Sequence, residues 1–155
     1  MIRYTHTNIV AKDWRRLARF YVEVFDCELL MPERDLAEPW VAAASGVPDA
    51  HLRGAHLRLP GYDALDANEA PTLEIYEYDE SPRRPKPVAA NRPGFGHIAF
   101  AVDDVPAALR RLLDHGGGRL GELVTATVPG KGDITWVYAT DPEGNIIELQ
   151  RWHDD

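Results

Sequence analysis

The sequence predicts an α+β chain built from two copies of one unit: a strand, a helix and three further strands. Three observations predict it. YTHTNIVAKD near the start and FGHIAFAVDD at residues 95–104 share one design, in which a His begins an apolar run and an Asp follows seven positions later: His6 to Asp13, His97 to Asp104. Apolar residues at helical spacing follow each Asp. Each half then closes on a strand with a Glu set between aliphatics, TLEIYEY in the first and IIELQRW in the second.

Composition sets the frame. A chain of 155 residues with 45% hydrophobic content has the length of one ordinary domain, or of two half-sized modules, and enough apolar material for a core. It reads as a soluble globule. A formal net charge of -8 disfavours nucleic acid and anionic membrane surfaces, which attract basic stripes. The single Cys27 excludes an internal disulfide and fits a reducing compartment. MIRYTHTN lacks the apolar core of a signal peptide, and no apolar run reaches the ~18 residues of a membrane span, so a cytoplasmic protein is expected.

In chain order, residues 3–10 read as a strand. Asp13 suits an N-cap, and Trp14, Leu17, Phe20, Tyr21, Val24 and Phe25 recur on one helical face. Residues 27–31 form a short strand that ends at Pro32. Residues 33–49, with Pro39, Gly46 and Pro48, read as a long loop. Strands at 52–59 and 72–78 complete a first module, residues 1–80. ESPRRPKPVAANRP then carries four prolines and no periodicity, and residues 81–93 read as an extended connector. The second module, residues 94–155, repeats the order. A strand at 95–102 leads to Asp104 as N-cap, Pro106 sits in the first turn, and Val105, Ala108, Leu109, Leu112 and Leu113 share a face until Gly116 to Gly118 stop the helix. Strands follow at about 119–127 and 134–139, and a turn at 141–144 leads into the last strand, 146–152.

Strand side chains alternate between faces. If Leu73 with Ile75, and Ile147 with Leu149, pack on the helices, Glu74 and Glu148 project from the opposite face. His6 and His97 do the same. The His-to-Glu separation is 68 positions in the first half (6 to 74) and 51 in the second (97 to 148), a difference of 17, which is the length of the 33–49 loop. The halves read as copies, one with an insertion.

Two His and two carboxylates on one concave surface suit a divalent metal, Zn, Ni or Co first and Fe or Mn as alternatives. Taken singly, each is more often a strand residue with a satisfied hydrogen bond. The repetition, with the same residue type at the same place in both halves, argues for a site. Arg83, Arg84, Lys86 and Arg92 offer an anionic substrate some attraction but read more readily as a solvated connector. Gly130 and Gly132 around Lys131 offer a mobile flap over the site but read by default as a loop, and they do not match a phosphate-binding motif. His56 with Arg58, and Trp136 with Tyr138, each share a strand face, and the sequence leaves open which face lines a pocket. His51, His115 and His153 have no partner that the sequence places and read as surface residues, and Cys27 as a small core residue.

HTNIVAKD, GFGHIAFAVDDV and DPEGNIIELQ resemble the vicinal oxygen chelate superfamily, which includes glyoxalase I, methylmalonyl-CoA epimerase, extradiol dioxygenases and the fosfomycin- and bleomycin-resistance proteins. The resemblance covers nearly the whole chain apart from the 33–49 loop and the connector. It implies two βαβββ modules whose curled, cup-shaped mixed sheet surrounds a metal, with helices on the outer face, acting as one functional domain and commonly as a homodimer. It implies His6, Glu74, His97 and Glu148 as metal ligands.

Branches of that superfamily differ at these four positions, and the presence of Glu74 favours the glyoxalase I and epimerase side. The resemblance then implies a lyase or isomerase that moves a proton alpha to a carbonyl of a small-molecule substrate through a metal-stabilised enediolate or enolate. Glu148 is the expected base and Glu74 its partner. Two other classes stay open: an Fe(II) or Mn(II) oxygenase of the extradiol type, and a metal-free dimeric protein that sequesters a drug. The substrate-binding residues of glyoxalase I, and those expected for coenzyme A, are not recognised here.

Overall fold

A computed structural model describes residues 3–66 and 69–153. The chain divides into two compact units, Met1–Arg84 and Pro85–Asp155. The first holds β1 (His6–Val10), α1 (Trp14–Phe25), β2 (Glu28–Leu36), α2 (Pro39–Ser45), β3 (Leu52–Arg58) and β4 (Thr72–Tyr78). Its sheet has the order β1-β4-β3-β2, with β1 parallel to β4 and the other pairs antiparallel. The fold class is the α+β one that the pattern predicts.

Helix α1 starts and faces as its sequence dictates. Asp13 accepts a hydrogen bond from the Arg16 N–H at 3.0 Å, which satisfies one of the orphan donors of the first turn. The apolar stripe packs on β3 and β4. Leu17 and Tyr21 on the helix are fully buried, as are Leu57, Leu73 and Ile75 on the strands. Each such side chain contributes on the order of 1.5–3 kcal/mol of burial. Because Leu73 and Ile75 are committed to this core, Glu74 and Tyr76 must face the other way.

The 33–49 stretch is not one loop. Strand β2 continues through Pro32 to Leu36, and Pro39–Ser45 is a short helix. Proline is tolerated because β2 is an edge strand, with a free side on which no N–H is needed. The ladder instead shifts there: Leu30 pairs with His56 and Arg34 with Gly54, so four steps on β2 match two on β3. Pro39 begins α2 with its φ already set, an alanine run carries it, and Gly46 ends it at φ 70° with its N–H on the Ala42 carbonyl. The same Pro and Gly that look like loop signals are here the two ends of a helix.

The second unit holds β5 (Ile98–Ala101), α3 (Val105–Asp114), β6 (Gly118–Arg119), β7 (Val124–Val128), β8 (Gly132–Thr140) and β9 (Ile146–Trp152). Its sheet runs β5-β9-β8-β6, with β7 also paired to β8, and β5 lies parallel to β9. Asp104 caps α3 through the Ala107 N–H at 2.8 Å. The helix packs on β6, β8 and β9, where Leu112, Ile147 and Leu149 are fully buried. The expected single strand at 119–127 is split. Arg119 pairs with Ala139 and Val124 with Trp136, so five steps match three, and the Leu120 and Gly121 N–H groups both reach the Tyr138 carbonyl. This bulge mirrors the one in β2. Asp141, buried, closes the β8–β9 turn by accepting from the N–H groups of Glu143 and Asn145 at 2.9 Å each.

Among the described residues no helix is long and apolar enough to cross a membrane. Three histidines for which the sequence places no partner have one in the fold. His115 Nδ1 lies 2.7 Å from the Arg111 carbonyl, and His153 Nε2 lies 2.8 Å from Thr135 Oγ1. His51 bridges Asp35 at 2.6 Å and Asp79 at 2.9 Å, and Arg53 also binds Asp79 at 2.6 Å, which joins the ends of β2, β3 and β4. The hydrogen bonds to Asp35 and then Asp79 raise the His51 pKa above its ordinary 6.5, against partial desolvation and the Arg53 charge. A raised folded pKa stabilises the fold fully below the unfolded value and loses that contribution as pH rises through the folded value. The wild-type melting temperature, relative to that of His51→Asn, should therefore fall as the pH is taken from about 6 to 9. A parallel pair of melting curves across that range would show that the bridge carries no charge-dependent stability.

Candidate metal centre

Each unit brings one predicted His to one predicted Glu. His6 Nδ1 lies 3.4 Å from Glu74 Oε1, and His97 Nε2 lies 3.1 Å from Glu148 Oε2. The registers that do this are the same. In the parallel pair β1–β4, Glu74 stands beside Asn8, two residues after His6; in β5–β9, Glu148 stands beside Ala99, two residues after His97. Both carboxylate side chains are 15% exposed, so each sits largely out of water and needs polar partners.

The repetition extends one strand further, then breaks. Directly across the antiparallel ladder from Glu74 is His56, and directly across from Glu148 is Tyr138. His56 Nε2 lies 3.3 Å from Glu74 Oε1 and 2.8 Å from the Tyr76 hydroxyl. Burial lowers the His56 pKa, and the neighbouring Glu74 charge opposes that shift. Burial and then the Glu74 charge push the Tyr76 hydroxyl up, and the Arg34 charge opposes that shift. Tyr138 is raised by burial first and then by the charge of Glu148; its ring stands 5.0 Å from that of His97 and 5.1 Å from that of Trp136. Of the two strand pairs that the sequence left open, His56 and Tyr138 thus lie against the carboxylates. Arg58 is instead ion-paired to Glu28 at 3.3 Å.

A cleft of about 200 Å³ opens in the first unit beside His6, His56 and Glu74, with Arg3 and Thr72 also on its wall. Two donor atoms each about 2.1 Å from one ion stand about 3.0 Å apart at a right angle and about 3.4 Å apart at the tetrahedral angle. The His–Glu spacings of 3.4 and 3.1 Å fall in that span, and imidazole with carboxylate is a donor set that divalent metals accept. Both spacings are longer than a charge-assisted hydrogen bond, which runs about 2.7–2.9 Å. Among the described residues no three His, Cys, Asp or Glu side chains gather into a site on their own. Each unit therefore offers a pair of donors.

A sequence profile of the glyoxalase/bleomycin resistance protein/dioxygenase superfamily matches residues 3–149. The chain belongs to that superfamily. A protein of Vibrio parahaemolyticus named a probable lactoylglutathione lyase is 28% identical over 148 residues, which span 95% of this chain and 88% of that one. Among solved structures, a glyoxalase family protein from Bacillus cereus aligns over 97% of this chain and 94% of its own at 19% identity, with a TM-score of 0.77. A glyoxalase I mutant from Zea mays aligns over 98% of this chain and 45% of its own at 24% identity, with a TM-score of 0.63. These two likenesses speak to the fold.

Other groups that the sequence offered are used elsewhere. Arg92 donates to the carbonyls of Pro85 and Pro87 at 3.2 and 2.7 Å, which folds the connector on itself. Residues 129–131 form the tight β7–β8 hairpin turn, with Lys131 over the Trp152 ring. Cys27 is buried, and burial with the Asp26 charge pushes its thiol up to about 12, far from a nucleophile's range.

The position of Tyr76 depends on Gly54, its cross-strand neighbour. A Cβ at Gly54 would stand 2.0 Å from the Ile75 carbonyl and 2.5 Å from Tyr76 Cδ1. The first contact is backbone and cannot swing away. Gly54→Ala should lower stability by about 2 kcal/mol or more, measured by urea unfolding. A midpoint equal to that of the parent would mean that this strand accommodates a side chain.

Proposed function

We propose that the protein is a divalent-metal-dependent lyase or isomerase of the glyoxalase I or epimerase type, with His6, Glu74, His97 and Glu148 as the metal ligands. The observation that carries the reading is the repeated His–Glu contact, set by the same parallel register in both units. The name of the Vibrio relative supports the lyase class. When bound, a divalent ion polarises a substrate carbonyl and so acidifies the neighbouring carbon.

The chain's own residues supply the proton handling. Glu148 removes a proton from that carbon and returns it to the adjacent one, with Glu74 as the partner carboxylate. Tyr138, directly across the ladder from Glu148, holds the carboxylate's orientation while the proton moves. His6 and His97 would each supply an imidazole nitrogen to the ion. Zn, Ni or Co suit this chemistry, and the substrate is a small molecule. A cytoplasmic homodimer is the setting that superfamily resemblance and the lone buried thiol favour.

The test follows turnover of lactoylglutathione by protein loaded with Zn(II), Ni(II) or Co(II). Glu148→Gln should lower kcat by about 10²- to 10⁴-fold. A variant as fast as the parent would remove Glu148 from the mechanism. Oxygen uptake by the iron-loaded protein, with no isomerisation, would favour the oxygenase class instead.

A further inference from the structure

The two units repeat each other at His and at Glu but differ at the residue opposite the Glu. That position is Tyr138 in the second unit, a single phenol directly across the ladder from its carboxylate. In the first it is His56, whose Nε2 is shared between Glu74 Oε1 at 3.3 Å and the Tyr76 hydroxyl at 2.8 Å. Arg34 stands opposite Gly54, which is itself the cross-strand neighbour of Tyr76. The result is a polar row, Glu74, His56, Tyr76 and Arg34, on three strands of one sheet. Several features of the backbone build it. The β2 bulge lies between the partners of His56 and Gly54, and brings Arg34 opposite Gly54; Gly54 carries no side chain, which leaves the space that the Tyr76 ring occupies. The second unit has Trp136 and Gln150 at the places of Gly54 and Tyr76, and makes no such row.

We propose that His56, steadied by Tyr76, is a positioning residue for Glu74. His56 touches the oxygen of Glu74 that also faces His6, so it fixes the rotamer of a carboxylate whose other neighbours on that face leave it room to turn into the adjoining cleft. Only as Nε2–H can this nitrogen favour the carboxylate, and that hydrogen, shared with the phenol oxygen, leaves no lone pair there for an ion. The two carboxylates are thereby unequal: Glu74 is held between two imidazoles, and Glu148 between an imidazole and a phenol. This inference rests on the proposed ligand role of Glu74.

The test measures Zn(II) affinity of metal-free protein by competition with a chromophoric chelator, beside a thermal melt of each variant. His56→Ala should bind about 10- to 100-fold more weakly, the usual effect of removing a group that orients a metal ligand. His56→Gln, whose amide N–H reaches the same place, should recover most of the loss, and Tyr76→Phe should lose less than His56→Ala. In a Glu74→Gln background His56→Ala should add little. Parental affinity in His56→Ala, or an equal loss in both backgrounds, would overturn the positioning role while leaving the metal reading intact. Wild-type protein that binds no Zn(II) would overturn both.

Discussion

A carboxylate in a strand between two fully buried aliphatics cannot join the core, and the rest of this protein follows from where it is forced to go. Leu73 with Ile75, and Ile147 with Leu149, seat their strands on α1 and α3. Period-two alternation then sends Glu74 and Glu148 to the opposite face of each sheet. The burial that fixes these four aliphatics is worth several kcal/mol in each unit. It exceeds what any one exposed polar contact supplies, so the core decides the facing and the site accepts it.

Parallel pairing adds the second constraint. Because β1 and β5 each lie beside the last strand of their unit, a residue at the start of the chain segment meets one near its end. The offset of two residues puts His6 and His97 alongside the carboxylates without any loop having to place them. The edge strands are less regular, and both take up two extra residues beside the position across from the Glu. Bulges of this kind re-aim side chains near functional sites. Here they bring Arg34 toward Tyr76 in one unit and place the Tyr138 carbonyl under two N–H groups in the other.

Much of this was legible in the residues. Asp13 and Asp104 mark the helix starts because a short carboxylate is the simplest way to satisfy a first-turn N–H, and both do so. The His and Glu positions were legible because alternation around Ile75 and Ile147 leaves them only one face. His56 and Tyr138 were visible as strand residues, but their facing depends on register across the sheet, which no local pattern encodes. Helix α2 was hidden because Pro39 and Gly46 serve equally as loop residues and as helix ends. The His51 bridge was hidden for a different reason: its partners Asp35 and Asp79 are 16 and 28 positions away, on strands whose ends meet only after the sheet forms.

The most direct measurement of the proposed metal chemistry is elemental analysis of purified, untagged protein, with His6→Ala and His97→Ala measured alongside. The account predicts a near-stoichiometric divalent metal in the wild type that both variants lose, because it counts His6 and His97 among the proposed ligands. Wild-type protein that holds no metal, and takes up none on dialysis against Zn(II), Ni(II) or Co(II), would contradict it and favour a binding protein on the same fold.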